Sequence, residues 1–374
     1  MTATTFKGIN YSLFIIVVIL TAIGILMTYS SSAIFAMQRY NDPFFFLKRQ
    51  MIWGVIGIAA MIIVSRIDYR EWERFFLPLF GLTILLLILV LIPGIGREVN
   101  GAKRWLRFSA LSFQPAELAK LTIIIYVARL IAKKEEKIKD FMNGFFPVMS
   151  VVGLTVMLIM VEPDVGTAMT IGMISVFLLF AGGARLNHIM LLGLLLAPLL
   201  YNFIFNAKYR AGRWSAYLDP WKDPLNSGYQ IIQSYLALGS GGISGAGLGE
   251  GKQKLFFLPE AHTDFIFSVL GEETGFIGAV SLIALFAILI GMGFIIALRT
   301  EDPFARYLSL GITIMIGFQA VMNIAVVTGL LPTKGIPLPF ISFGGSSLLI
   351  NMIGAGILMS ILKYEGGQRR SKKV

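Results

Sequence analysis

The sequence predicts an all-α, polytopic membrane protein of about ten transmembrane helices, and three observations carry that prediction. Hydrophobic residues make up 56% of the 374 positions and charged residues only 14%, with a mean hydropathy of +0.77. A soluble domain could not bury that much apolar surface, so lipid must be part of the solvent. The apolar residues are also gathered into long uncharged runs, and the basic residues fall between them.

Residues 8–38 form the first span. The run is too long for a cleaved signal peptide and lacks a small-residue cleavage site followed by polar sequence. Residues 50–65 and 75–96 give the second and third. The fourth is 115–132, apolar except for Glu117, Lys120 and Arg129. Glu117 and Lys120 stand three residues apart, share a helix face and can neutralise each other, which is how a bilayer tolerates charge. Residues 141–161, 165–184 and 186–207 supply the fifth to seventh spans, and 274–298, 307–333 and 335–362 the last three. No internal repeat stands out, so residues 1–374 read as a single integral membrane domain.

An even number of spans puts both termini on one side. The basic tail 363–374, the loop Lys133-Lys134-Glu135-Glu136-Lys137 and Arg66, Arg70 and Arg74 then share that side, which should be the cytoplasm. The opposite side receives 39–49, 93–114, 162–164, 207–264 and 331–340. The large extracytoplasmic loop 207–264, between helices 7 and 8, is far longer than a connector needs to be. Trp214, Tyr217, Trp221, Tyr229 and Tyr235 predict an ordered cap at the membrane interface. The glycine cluster 239–249 predicts a tight, pliable turn within it.

The chain has no cysteine, which removes disulfides, thiolate catalysis and soft-metal sites. His188 and His262 are its only histidines and lie far apart, so no metal-ligating residues are assigned. A hard, oxygen-bound divalent cation such as Mg2+ is the one kind of metal left open. The net charge of +11 points to membrane lipids and anionic substrates, and no nucleic acid is expected.

On the outer side, Lys103, Arg104 and Arg107, then Lys208, Arg210 and Arg213, then Lys334 form three cationic clusters where orientation alone would disfavour them. Headgroup contact explains any one of them; three converging on one face fit a phosphate-bearing ligand, whose oxygens match the guanidinium fork. Glu162-Pro163-Asp164 forms an outer turn, which either caps the next helix through Asp164 or lines a substrate cavity. The stretch from Pro332 to Ser347 holds too many Pro and Gly residues for a continuous helix, and irregular backbone at membrane depth must be buried in protein or line a cavity. Leu258-Pro259-Glu260-Ala261-His262-Thr263-Asp264 runs directly into apolar sequence. Asp264 at a helix start can act as a simple cap or, partly desolvated, as a catalytic carboxylate.

These residues resemble the SEDS (shape, elongation, division and sporulation) family of polytopic peptidoglycan polymerases, which includes the FtsW, RodA and SpoVE types. The markers are Asn100 to Trp105, Phe113 to Lys120, Glu162 to Thr167, Leu258 to Phe267 and Leu331 to Ser347, five ordered motifs spread over nearly the whole chain. The resemblance implies a GT-C-like membrane glycosyltransferase in the bacterial inner (plasma) membrane. Its reaction would be polymerisation of the lipid-linked disaccharide–peptide, lipid II, with loss of polyprenyl diphosphate. It makes Asp264 the essential carboxylate. Candidate substrate-binding residues are Lys103, Arg104, Arg107, Arg210, Arg213, His262, Lys334 and Ser342, with Glu117 and Lys120 as a structural or active-site pair. Pro332-Thr333-Lys334-Gly335 favours the division and sporulation branches, while Ile336-Pro337-Leu338-Pro339 leans towards RodA. The expected partner is a class B penicillin-binding protein, a transpeptidase.

An α-linked diphosphate donor giving a β-linked glycan requires inversion, hence one displacement, one base and a cationic clamp. Two other classes stay open on the sequence. A lipid II flippase would use the same cations without bond chemistry, and a non-catalytic division scaffold would tolerate loss of Asp264.

Overall fold

A computed structural model describes residues 3–99, 102–108, 111–134, 136–206 and 208–371. Lys372 and Lys373 of the basic tail, and Asn100 and Gly101 of the first motif, lie outside the described residues. Helices stand at all ten of the expected runs: α1 (Ala3–Tyr40), α2 (Phe45–Val64), α4 (Phe76–Leu91), α5 (Pro115–Lys133), α6 (Phe146–Val161), α7 (Val165–Ala181), α8 (Leu186–Phe205), α11 (Ile266–Arg299), α12 (Pro303–Val327) and α13 (Gly345–Ser371). A short helix, α3 (Tyr69–Arg74), precedes α4. Among the described residues six helices are long and apolar enough to cross a membrane by length and composition, those based on α1, α2, α6, α11, α12 and α13.

Local sequence sets several helix starts. Asp68, Asp164 and Asp302 each cap a helix by accepting backbone N–H groups, and Pro115 and Pro303 occupy first-turn positions where no donor is lost. The centre of the protein is α5, whose residues are buried on nearly every face against α4, α7 and α12. The last helix, α13, packs on α2 and α1. By contrast α8 leaves Leu191, Leu194, Leu195 and Leu199 exposed, as a lipid-facing helix would.

The all-α class holds with one addition. The segment expected to be the loop 93–114 folds into a three-stranded antiparallel sheet, β1 (Gly96–Val99), β2 (Ala102–Phe108) and β3 (Leu111–Phe113), in the order β1-β2-β3. Arg97 pairs with Trp105 and Glu98 with Lys103, so Arg104 is skipped and becomes the extra residue of a β-bulge. A bulge twists its strand and re-aims the unpaired side chain.

Residues 208–264, of the segment expected to be the long outer loop, have regular structure in part. They hold two helices, α9 (Lys208–Leu218) and α10 (Tyr229–Ser240). After α10 the glycine cluster turns back against α11, and there α11 is broken. Gly275 takes φ 68° and ψ −166°, a conformation that side chains disfavour. The helix ladder stops at this residue, yet none of its groups is stranded. Phe276 and Ile277 donate to the carbonyls of Gly242 and Ile243 (2.9 and 3.2 Å), while the carbonyls of Glu272 and Glu273 accept from Ala246 and Gly247 (2.9 and 3.1 Å). A Cβ at Gly245 would collide with Glu273 O, and one at Gly275 with Gly245 N. The turn expected to be pliable is therefore pinned.

Two side chains complete the pin. The Glu272 carboxylate accepts from the backbone N–H groups of Lys252 (2.7 Å) and Gln253 (3.2 Å). Glu273 accepts from Ser30 Oγ, from Gly249 N and from Lys254 Nζ at 2.6 Å. The helix begins eight residues before the uncharged run 274–298, and its two carboxylates are taken up by the hairpin and by Ser30 of α1.

The Glu117–Lys120 pair forms as expected, at 2.7 Å with both side chains almost wholly buried. Lys120 Nζ also donates to Gln319 Oε1 of α12 at 3.0 Å. Removing either partner strands a buried charge, so Glu117→Ala and Lys120→Ala should each lower stability by about 3–5 kcal/mol. The double variant should lose less than the sum of the two. Thermal unfolding in detergent measures this cycle, and additive losses would show that the pair is not coupled.

Candidate active site

Asp264 lies just before α11 in an irregular stretch, and a second irregular stretch, 331–344, closes against it. A Cβ added at Gly335 would sit 3.2 Å from Asp264 Oδ2. A Cβ at Gly166, in the first turn of α7, would sit 2.9 Å from Gly335 O and 3.7 Å from Asp164 Oδ1. Asp264, Gly335, Gly166 and Asp164 therefore converge within a few ångströms, brought together from three separate parts of the chain.

The two stretches are joined in register. Three consecutive carbonyls, those of His262, Thr263 and Asp264, accept from Phe343 N (3.0 Å), Ser342 Oγ (2.6 Å) and Asn323 Nδ2 (2.8 Å). Glu260 and Phe340, one in each stretch, have positive φ (56° and 64°). Non-glycine residues hold that conformation only where the surroundings impose it.

Cations approach from three directions. Arg104, aimed by its bulge, donates through Nε to Glu162 O at 2.9 Å and through Nη2 to Pro163 O. Arg213 of α9 donates to Thr333 O at 3.3 Å, and Tyr217, four residues on, to Leu330 O. Arg210 stands one turn before Arg213 on the same helix face. Lys334 donates to the thioether of Met169 at 2.8 Å, a weak acceptor for an ammonium group. Burial and the neighbouring Arg213 charge both lower the Lys334 pKa. Lys103 and Arg107 flank Arg104 on β2, with Arg107 exposed.

The acids divide by environment. Burial pushes the Asp264 carboxyl up to about 7, and the Glu260 charge adds to this. Arg213 and Arg104 pull the other way, while Asp164 raises it further. Asp264 nonetheless keeps some exposed surface. It therefore titrates near neutrality and is reachable, as a general base must be. Asp164 is buried and committed to hydrogen bonds from Thr167 N, Thr167 Oγ1 and Gln114 Nε2, which is the capping role expected of it. Glu162 is pushed up to about 8, first by burial and then by Asp164, with Arg104 opposing.

Two candidates make their contacts within the protein. His262 was expected among the substrate-binding residues, but its ring lies among Phe35, Phe46 and Phe343 at 4.5–5.9 Å. Burial lowers its pKa, so it packs as a neutral ring. Ser342 spends its hydroxyl on Thr263 O and accepts from Leu338 N at 2.8 Å, which makes it a backbone clasp. Glu117 and Lys120 are sealed inside α5 and α12. Sequence reasoning missed Gln114, Asn323, Glu272, Glu273 and Lys254. For Glu272 and Glu273 a signal existed, two acids eight and nine residues after Asp264 inside otherwise apolar sequence.

Residues 11–366 match the family model of the FtsW, RodA and SpoVE cell cycle proteins. A probable peptidoglycan glycosyltransferase FtsW of Geobacter metallireducens is 50% identical over 344 residues, 92% of each chain. The stage V sporulation protein E of Bacillus subtilis is 42% identical, covering 94% of this chain and 96% of that protein. Among solved structures, a chain from a peptidoglycan synthase complex that coordinates polymerization and crosslinking superposes with a TM-score of 0.77, at 30% identity, over 95% of this chain and 98% of that one. The rod shape determining protein RodA of Thermus thermophilus gives a TM-score of 0.69 at 28% identity, over 95% and 97%.

The raised carboxyl at position 264 has a consequence for stability. An unfolded aspartate ionises near 4, whereas here it ionises at about 7. Ionisation is therefore harder in the folded protein, and stability falls as pH rises from about 4 through 7. Asp264→Asn cannot ionise, so it should melt higher than wild type at pH 8 and level with it at pH 4. Melting curves of the two proteins across that range test this. Glu162 titrates in both and cancels.

Proposed function

The chain belongs to the FtsW/RodA/SpoVE family of cell cycle proteins, and from that premise we propose how its outer site works. The protein is a multi-pass membrane peptidoglycan glycosyltransferase whose role fits cell division. Its substrate is lipid II, and the reaction is an inverting displacement. The acceptor hydroxyl oxygen bonds to the donor's anomeric carbon while the bond from that carbon to the diphosphate oxygen breaks. The hydroxyl proton passes to Asp264 and the negative charge to the departing polyprenyl diphosphate.

The observation that carries this reading is the placement of Asp264 against Gly335, with Lys334 beside it and the Arg213 and Arg104 charges near enough to act on its carboxyl. A carboxylate that ionises near 7 is a competent base at neutral pH, because it is half-charged there and still basic enough to take a proton. Fixed cations stabilise the developing diphosphate charge without reorganising. Of the candidates, Arg213, Lys334 and Arg104 are the principal diphosphate ligands, and Arg210, Lys103 and Arg107 extend the cationic rim. Among the described residues no group of three or more His, Cys, Asp and Glu could hold a metal ion. A divalent cation such as Mg2+ would use substrate diphosphate oxygens together with one or two carboxylates.

Ten spans, with both termini in the cytoplasm and the site on the outer face of the inner membrane, follow from the basic loops. A peptidoglycan crosslinking partner accords with the synthase complex named above. We assign that role to a class B penicillin-binding protein.

Purified protein in detergent with lipid II has no membrane to transport across. Glycan chains formed there support polymerisation; transport in liposomes without glycan would mean a flippase, and neither activity a scaffold. In that assay Asp264→Asn should lower the rate by about 10²–10⁴-fold while lipid II still binds. Wild-type kcat/KM should rise with pH below about 7 and level off above it, because the base must be ionised.

Arg213→Ala and Lys334→Ala should weaken the use of lipid II in a titration of initial rates, each by about tenfold or more, as expected for lost charge-assisted hydrogen bonds. Arg213→Lys should recover only part, because an ammonium lacks the planar fork. Unchanged kinetics in both Ala variants would place the diphosphate elsewhere.

A further inference from the structure

Three consecutive carbonyls lead up to the Asp264 side chain, and all three are held by the opposite stretch or by the helix behind it. The donor to the Asp264 carbonyl is Asn323, buried on α12. Its amide nitrogen donates a second time, to Ile336 O at 2.9 Å. One NH2 group thus bridges residue 264 and residue 336. The second residue adjoins Gly335, which abuts the Asp264 carboxylate, and Lys334, the candidate diphosphate ligand. Ser342 repeats the arrangement one residue away: its hydroxyl joins Thr263 O to Leu338 N.

The orientation of Asn323 is forced. Rotating its amide would place Oδ1 against two carbonyl oxygens, which cannot donate. In the orientation found, Oδ1 is buried without a hydrogen-bond partner. A buried acceptor left unpaired is a liability that an aliphatic side chain at this helix position would avoid. What Asn323 supplies instead is the link between the two stretches.

Four residues below on the same helix, Gln319 accepts from Lys120 of the buried pair. Positions four apart share a helix face, so one stripe of α12 holds both the α5 ion pair and the backbone of Asp264.

We infer that Asn323 and Ser342 are positioning residues of the glycosyltransferase. Their clasps set the distance between the Asp264 carboxylate and the Lys334–Gly335 turn, and so between the base and the cations that receive the leaving group. Each acts through the backbone it holds. The inference rests on the assignment of Asp264 as base. A misplacement of the order of 1 Å at a reacting group can cost about 10²-fold in rate, and a backbone released from its clasp moves by that order.

The test uses full-length protein in the detergent assay with lipid II. Asn323→Ala and Ser342→Ala should each lower kcat about 10–100-fold with KM within about twofold, and should shift the acid limb of the pH profile, because the surroundings of the carboxylate change. Ser342→Thr keeps the hydroxyl and should recover most of the rate. The double Ala variant should fall less than the product of the two losses, since both release the same segment. Asp264→Asn is measured alongside.

Wild-type kcat in both Ala variants with an inactive Asp264→Asn would overturn the positioning role and leave the base in place. Loss of activity that tracks the loss of thermal stability, with the pH limb unmoved and no rescue by Thr, would overturn it as well. An active Asp264→Asn would overturn the base assignment, and this inference with it.

Discussion

Irregular backbone within this protein must find its hydrogen bonds inside the protein, because lipid offers none. That constraint explains why so much of the sequence around the site looks improvident and yet is not. The break at Gly275 frees two donors and two acceptors, and the glycine hairpin 241–251 returns all four. Glycine is required on both sides, since a side chain at Gly245 or Gly275 would strike the facing backbone. Glu272 and Glu273 then hold the hairpin's far end and lead it directly into 255–264. The segment that ends at Asp264 is therefore anchored at one end by a mended helix and at the other by the clasps to 336–343. Were the break left open, the same residues would carry unpaired polar groups at membrane depth, each costing several kcal/mol.

The site is held in a state that costs stability. Asp264 is crowded enough to resist ionisation, Glu162 more so, and Lys334 rests against a sulfur atom where a carboxylate would serve it better. Of the three, Lys334 is the one that an added anion would satisfy better, since a thioether is a weak acceptor for an ammonium group. Asp164 shows the contrast within the same pocket. Three hydrogen bonds occupy it fully, and it serves as a cap.

Much of this was legible in the sequence. Nine uncharged runs and one carrying three charges placed ten helices, because desolvation keeps charge sparse in them and so marks their limits. Spacing alone paired Glu117 with Lys120. The Pro- and Gly-rich stretch 332–347 announced irregular backbone, and the family motifs singled out Asp264 where spacing left it balanced between cap and base. The losses have physical causes. The sheet in 96–113 is made of short strands with charges on them, and no alternation distinguishes these from a loop. The bulge at Arg104 depends on pairing with a distant strand. The contacts of His262 and Ser342 were not legible, because residue type suggests chemistry whereas the surroundings, three phenylalanine rings and two backbone groups, are set by the fold. Asn323 lies in a long apolar run with no local signal, and its partners are 59 and 13 residues away.

The Glu117–Lys120 pair also bears on how the protein is made. Spans enter the membrane in the order of synthesis, and α5 carries a charge pair whose amide partner, Gln319, is translated 199 residues later. Until α12 emerges, no other part of the chain offers that partner, and α5 is the helix least able to bear direct contact with lipid. Biogenesis must therefore keep α5 sheltered, at the translocation machinery or against its early neighbours, while more than half of the protein is still to come. The last helices to be made close the core around it, so the assembly of the enzyme's interior is a late event.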